Sequence, residues 1–228
     1  MSPAALVDDA IVLVQAMQTF CATERITLNL LTHMYRRGAT ALIGVTDALH
    51  AAGILDNYWF HAEQATEGSV MHRLAVETVA TPDVRLDLEE MWGPYVGYGR
   101  SLDKFLVSAC PSTIATELLV AYVHTPCAGT LDWLAVWHDA LWVIDWKTGA
   151  ELKWHALQTA GYLGALLDRI KAIQPVKPVP VAFKIRRASL YLHEDGQAAT
   201  LRAHYKPSDE QYFQAAVACT AFARGLTP

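Results

Sequence analysis

The sequence predicts a mixed α/β fold around one sheet, with helices packed against it. Three observations lead there. Residues 116–123 (TELLVAYV), 129–137 (GTLDWLAVW) and 140–146 (ALWVIDW) are consecutive runs rich in β-branched and aromatic residues. Helical patterns flank them, the longest over 148–173. Two more strand patterns, 188–193 (ASLYLH) and 199–205 (ATLRAHY), flank Asp195-Gly196, a hairpin turn signature.

Taken in order, residues 5–22 and 26–36 read as two short helices, so 1–43 is expected to be a helical N-terminal extension and 44–228 the main domain. The stretch 44–56 is helical with Thr46 as candidate N-cap, and 61–80 is a second helix weakened by Gly68. Residues 82–110, with Gly93, Pro94, Gly97 and Gly99, read as a turn followed by a helix. Thr148 and Glu151 have capping-box spacing, which predicts a helix start directly after Lys147. The segment 175–180 (PVKPVP) is a loop. Ser208 is expected to cap a last helix that ends near Ala223, with Gly225 beyond it.

Composition bounds the function. The 228 residues are 53% apolar and 18% charged, as in a globular chain, and the net charge of −5 carries no global signature of a nucleic-acid binder. Any such role needs local positive charge or metal ions. Cys21, Cys110, Cys127 and Cys219 form no CxxC pair, which argues against zinc, iron–sulfur and disulfide sites and for reduced, mostly buried thiols. The N-terminus carries Asp8 and Asp9 where a signal peptide has positive charge, and its apolar stretch is interrupted by Gln15 and Gln18. The expectation is a cytoplasmic protein with no membrane span.

The chemistry is concentrated in 129–147. Strand alternation puts Val143, Asp145 and Lys147 on one face and Trp142, Ile144 and Trp146 on the other. A two-residue loop at His138-Asp139 pairs 137 with 140, and hence Asp132 with Asp145. Two carboxylates so close repel unless neutralised, and hard oxygen donors suit Mg²⁺ or Mn²⁺. Lys147 then stands where it can orient or help deprotonate an attacking water, and Glu117 on the preceding strand offers a third carboxylate. Trp133, Trp137, Trp142 and Trp146 fall on the opposite face, as core. Basic residues are local: Arg169, Lys171, Lys177, Lys184, Arg186 and Arg187 follow one another without an acid, either a backbone-binding patch or a solvated loop face.

On these residues the chain resembles the PD-(D/E)xK nuclease superfamily, and within it RecB-type and phage recombination exonucleases. Gly129 to Asp132 looks like the family's GxxD element, Asp145 to Lys147 its (D/E)xK, and Gln158 to Tyr162 its QxxxY. The segment GSVMHRLA (68–75) is similar to the family's Gly-x-x-x-His helix, with His72 as the histidine, and Glu117 sits where a first-strand acid is expected. The likeness spans roughly 44–222 and implies a restriction-endonuclease-like αβββαβ core with a central mixed sheet flanked by helices. It implies a metal-dependent deoxyribonuclease that leaves 5′-phosphates. Asp132, Asp145, His72 and the Trp146 backbone carbonyl would bind the metal, and Lys147 would handle water. Gln158 and Tyr162 would contact DNA, with Lys184, Arg186 and Arg187 as the basic residues beside them. Some relatives carry a four-cysteine iron–sulfur cluster; the cysteine pattern for one is missing here, as is any helicase motif. DNA is the expected partner, with a single-strand annealing protein and a second copy of the chain as further candidates. Rivals are a restriction-like or structure-specific endonuclease and a catalytically silent DNA-binding module.

Overall fold

A computed structural model describes residues 2–30, 32–55, 62–80, 87–173 and 184–226. The order is α1 (Pro3–Thr23), β1 (Ile26–Asn29), β2 (Met34–Arg37), β3 (Thr40–Gly44), α2 (Val45–Ala51), α3 (Ala62–Ala80), α4 (Leu88–Trp92), a 3-10 turn (Gly93–Tyr95) and α5 (Val96–Ala109). Then come β4 (Ser112–Ala121), β5 (Cys127–Trp137), β6 (Ala140–Thr148), α6 (Trp154–Ile173), β7 (Lys184–Leu192), β8 (Thr200–Ala203) and α7 (Ser208–Ala223). The predicted α/β class with a mixed sheet flanked by helices is what forms. The proline-rich loop at 175–180 lies outside the described residues.

The sheet runs β1-β2-β3-β5-β6-β7-β8, with β4 on the other edge of β5. Its two faces bury separate cores. One holds Leu134, Val136, Leu141 and Val143 against α1, α2, α6 and α7. The other holds Trp133, Trp142, Ile144 and Trp146 against α3 and α5, so three of the four tryptophans expected in the core are buried there and Trp137 is half-buried beside them. Strand alternation sorts β6 between the two.

Three expectations need correction. Where a helix over 26–36 was expected, Ile26–Asn29 and Met34–Arg37 are strands: Asn29 Oδ1 accepts from the Thr32 N–H at 3.2 Å, and Arg25 (φ 53), His33 (φ 50) and Gly38 (φ 58) turn the chain at the strand ends. Turn chemistry overrides the helix-favouring Leu and Met residues. The resulting strands extend the main sheet, because β3 pairs in parallel with β5. The second correction concerns Thr148 and Glu151, which form no capping box. β6 continues through Thr148, Gly149 turns at φ 104, and Glu151 Oε2 instead accepts from Arg202 Nε at 3.1 Å. The helix therefore starts at Trp154 rather than directly after Lys147. Third, the segment Ala4–Thr23 is long and apolar enough to cross a membrane by length and composition. Here Leu6, Ala10, Leu13, Val14 and Met17 of this helix pack into the core.

Smaller differences follow the same logic. Gly44 rather than Thr46 is the N-cap of α2, and Pro207 rather than Ser208 that of α7, neither with a side-chain cap. Gly225 (φ 64) closes α7 as expected, with Leu226 N–H donating to Ala221 O at 2.9 Å. The cysteines are free; Cys21 and Cys127 are buried, while Cys110 and Cys219 are exposed.

Candidate metal centre

The sheet splits where the carboxylates gather. One edge of β5 is covered by β3 at Cys127 and Ala128, and by β6 from Trp133 to Trp137. Between these, residues 129–132 pair with no strand on that side among the described residues. The register is the predicted one, with Trp137 opposite Ala140 and the ladder running to Trp133 opposite Ile144. At the next step the Trp146 N–H donates to Asp132 Oδ2, at 2.9 Å, instead of to a backbone carbonyl. Asp132 thus takes the ladder's place at the mouth of the split.

Gly129 is required by what fills the gap. A Cβ there would lie 2.7 Å from the Tyr162 ring and 2.9 Å from Val45. On the other edge, Leu118 pairs with Leu131 and Thr116 with Trp133, which sets Glu117 opposite Asp132. Glu117 is left-handed (φ 48), a conformation that costs a side-chain-bearing residue about 1 kcal/mol or more and that marks functional sites. His72 arrives from α3, its Nδ1 3.6 Å from Asp132 Oδ2 and its ring edge-on to Trp146. One donor atom each from His72, Glu117 and Asp132 falls within a 4.8 Å cluster. Ligands about 2.1 Å from a single ion stand roughly 3–4 Å apart, so this trio is near the spacing a small hard cation needs.

Asp145 is completely buried, and Lys147 Nζ stands 2.6 Å from its Oδ2. Beyond that ion pair neither Asp145 oxygen has a hydrogen-bond partner among the described residues. The ammonium also lies 5.4 Å from the Trp154 ring centroid. Burial pushes Asp132 and Asp145 up to about 7, partly offset by Lys147. Desolvation also raises Glu117, and it lowers His72, as does Lys147. Carboxylates that resist ionisation, and an Asp145 Oδ1 with no hydrogen-bond partner among the described residues, are what a cation would relieve. The donor set fits Mg²⁺ or Mn²⁺; with the Trp146 main chain it is all nitrogen and oxygen.

This gives a measurable consequence. Asp132 titrates higher in the folded chain than its unfolded value of roughly 4. Its ionisation therefore destabilises the fold at high pH, and the penalty fades as pH falls through about 7 toward 4. In chelator at pH 8, Asp132→Asn should be more stable than wild type, and its advantage should shrink by pH 5. Comparing denaturant midpoints of the two proteins at each pH cancels the opposing histidine contributions. An advantage independent of pH would mean that Asp132 is not the strained group.

The remaining predicted site residues separate. Gln158 and Tyr162 do share a face of α6, but both are buried: Gln158 Nε2 donates to Tyr162 Oη at 3.0 Å and to Thr46 Oγ1 at 3.3 Å. They line the inner wall of the split rather than an open DNA surface. Arg187 does not belong to a basic patch. Strand alternation turns it inward, where it donates to Asp209 Oδ2 at 2.7 Å and to Ala156 O, Thr159 and Lys206 O. Arg169 is likewise buried, on Glu24 and Ala121 O. Lys184 and Arg186 remain at the surface, both beside Asp139. Lys177 lies outside the described residues. Arg187→Ala should thus act on folding, costing about 3–5 kcal/mol as for a broken buried pair, which urea unfolding measures. Unchanged stability with weakened DNA binding would return it to the surface patch.

Sequence reasoning missed the groups around Lys147. Tyr191 pairs in register with Lys147, and Ser189 with Asp145. Tyr191 Oη lies 2.7 Å from Nδ1 of the buried His155, whose pKa burial lowers to about 3. Ser189 meets His204 at 3.1 Å. The signal was available only in part: Trp154 and His155 open the WHALQTAGY segment, but the meeting of His155 with Tyr191 depends on a parallel β6–β7 register that sequence alone did not fix.

Searches against protein-family models and curated proteins return no match for this chain.

Proposed function

We propose that the chain is a metal-dependent deoxyribonuclease of PD-(D/E)xK type, acting on DNA ends. The observation that carries this reading is the convergence of His72, Glu117 and Asp132 within 4.8 Å, beside a lysine held on a buried aspartate. Mg²⁺ or Mn²⁺ held by His72, Glu117, Asp132, Asp145 and the Trp146 carbonyl would neutralise the carboxylates and polarise a phosphoryl oxygen.

The chain's own residues supply the rest. Asp132 is fixed by the Trp146 N–H, so its second oxygen has a defined direction. Lys147, only 14% exposed and braced by Asp145 and Trp154, presents its ammonium where it can orient a water and stabilise charge on the phosphoryl group under attack. Buried Gln158 and Tyr162 hold Gly129 and the wall behind Asp132, a supporting role rather than a first contact with DNA. Lys184 and Arg186, paired with Asp139 and level with Ala140 and Trp142, lie toward the other end of the sheet from Lys147 and add no cation to the centre.

The test is cleavage of end-labelled linear DNA and of closed circular DNA, each with Mg²⁺, Mn²⁺ or chelator. The reading expects loss of the linear substrate with metal only, and survival of the circle. Full activity in rigorously metal-free protein removes the metal assignment, and cutting of the circle makes it an endonuclease. Metal alone should raise the wild-type melting temperature, as for any ligand bound to the folded state only, independent of turnover.

A further inference from the structure

Tyr35 reaches the metal centre from the part of the chain expected to be a separate extension. It lies on β2, and β3 runs between that strand and β5. Tyr35 pairs with Leu42, and Gly44 follows two residues later on the same side of β3. Gly44 ends β3 and has no side chain, so the ring can cross it; a Cβ there would stand 3.5 Å from the ring. The Tyr35 hydroxyl then meets Thr130 Oγ1 at 3.0 Å, within the stretch 129–132 at the split.

Thr130 pairs with Leu119 and precedes Asp132 by two residues, so alternation puts the hydroxyl pair on the Asp132 side of β5. Burial first, and then the negative charge of Glu117 and Asp132, hold the Tyr35 hydroxyl above its usual range, so it stays protonated. Tyr35 and Thr130 are half-buried and Glu117 is exposed, which leaves this side of the centre open to solvent. The Tyr35 ring packs on Cys21, Ile26, Leu42, Ala121 and Ala128, and that packing makes no use of the hydroxyl. Two hydroxyls bonded to each other spend one proton and keep the second to donate.

We propose that Tyr35 contacts the substrate: its hydroxyl, oriented by the Thr130 O–H, donates to a backbone phosphate of the DNA next to the one under attack. The proposal rests on the reading of this centre as a DNA-cleaving site. The surroundings select the acceptor. A cationic side chain here would compete with a metal ion for Glu117 and Asp132, whereas a neutral hydroxyl does not. What a bound metal brings beside these carboxylates is phosphate, which only accepts hydrogen bonds and commonly takes them from tyrosine and threonine.

The test measures binding of end-labelled DNA by anisotropy in Ca²⁺, which takes the same oxygen ligands as Mg²⁺, and single-turnover cleavage in Mg²⁺. Tyr35→Phe should bind DNA about tenfold more weakly, the scale of one hydrogen bond to a charged group, with an unchanged rate at saturating DNA. Its melting temperature and its stabilisation by metal should match wild type. Thr130→Val should weaken binding in the same way, Thr130→Ser should restore it, and the double variant Tyr35→Phe/Thr130→Val should be no worse than either single one. DNA carrying one methylphosphonate, where a methyl group replaces a charged phosphate oxygen, locates the contact. At one position near the end, wild type and Tyr35→Phe should bind equally. A Tyr35→Phe protein that binds like wild type overturns the proposal. So does a deficit that persists at every methylphosphonate position or that follows base identity. Wild type that fails to bind DNA overturns both the proposal and the nuclease reading. Wild type that binds in a Tyr35-dependent way in Ca²⁺ but cleaves with neither Mg²⁺ nor Mn²⁺ removes the nuclease reading alone.

Discussion

Asp132→Asn should reduce DNA cleavage by on the order of 10³-fold or more, the scale of losing a principal charge-stabilising group at a reacting phosphate. Asp132 meets three other groups of the centre. It accepts from the Trp146 N–H at 2.9 Å, faces His72 Nδ1 at 3.6 Å and stands opposite Glu117. The amide is isosteric, so the split in the sheet should persist. Melting with and without Mn²⁺ separates lost chemistry from lost folding. Wild type should gain stability with metal, and the variant should gain little. If both gain equally, the ion binds elsewhere, whatever the cleavage assay reports. Asp145→Asn should behave in the same direction, but with a second effect, because it also releases Lys147 from its 2.6 Å partner.

Much of this centre was legible because strands impose simple geometry. Once His138-Asp139 is read as a two-residue connection, parity alone places Asp132 next to Asp145 and sends the tryptophans to the other face. The 137–140 pairing agrees with that reading. What parity could not give was the interruption of the sheet at 129–132, which depends on β3 entering from residues expected to be helical. Nor could it give the left-handed backbone of Glu117, which departs from regular strand geometry. The capping box failed for a related reason. Its two residues have the right spacing, but a strand that still has a parallel partner, Thr148 beside Leu192, gains more by continuing than by turning into a helix. Arg187 and Arg169 were read as surface charge because a sequence shows charge without showing the acid, Asp209 or Glu24, that waits across the fold.

Lys147→Ala should act on the chemical step. The ammonium is 14% exposed, 2.6 Å from Asp145 and 5.4 Å from the Trp154 ring. That placement fixes one cation at the edge of the His72, Glu117 and Asp132 cluster. Under the proposed reading the variant retains metal-induced stabilisation and DNA binding, while its single-turnover rate falls about 10²-fold or more. Lys147→Arg should recover only part of this, since a wide planar guanidinium cannot occupy the space of a compact ammonium between a carboxylate and an indole. A purely structural lysine predicts a different pattern. Removing it would leave Asp145 buried without its cation and lower stability, and rate per folded molecule would not change. Single-turnover rates on protein shown to be folded distinguish the two. A Lys147→Ala protein that cleaves at the wild-type rate would reduce the Asp145–Lys147 pair to a buried ion pair with no part in hydrolysis.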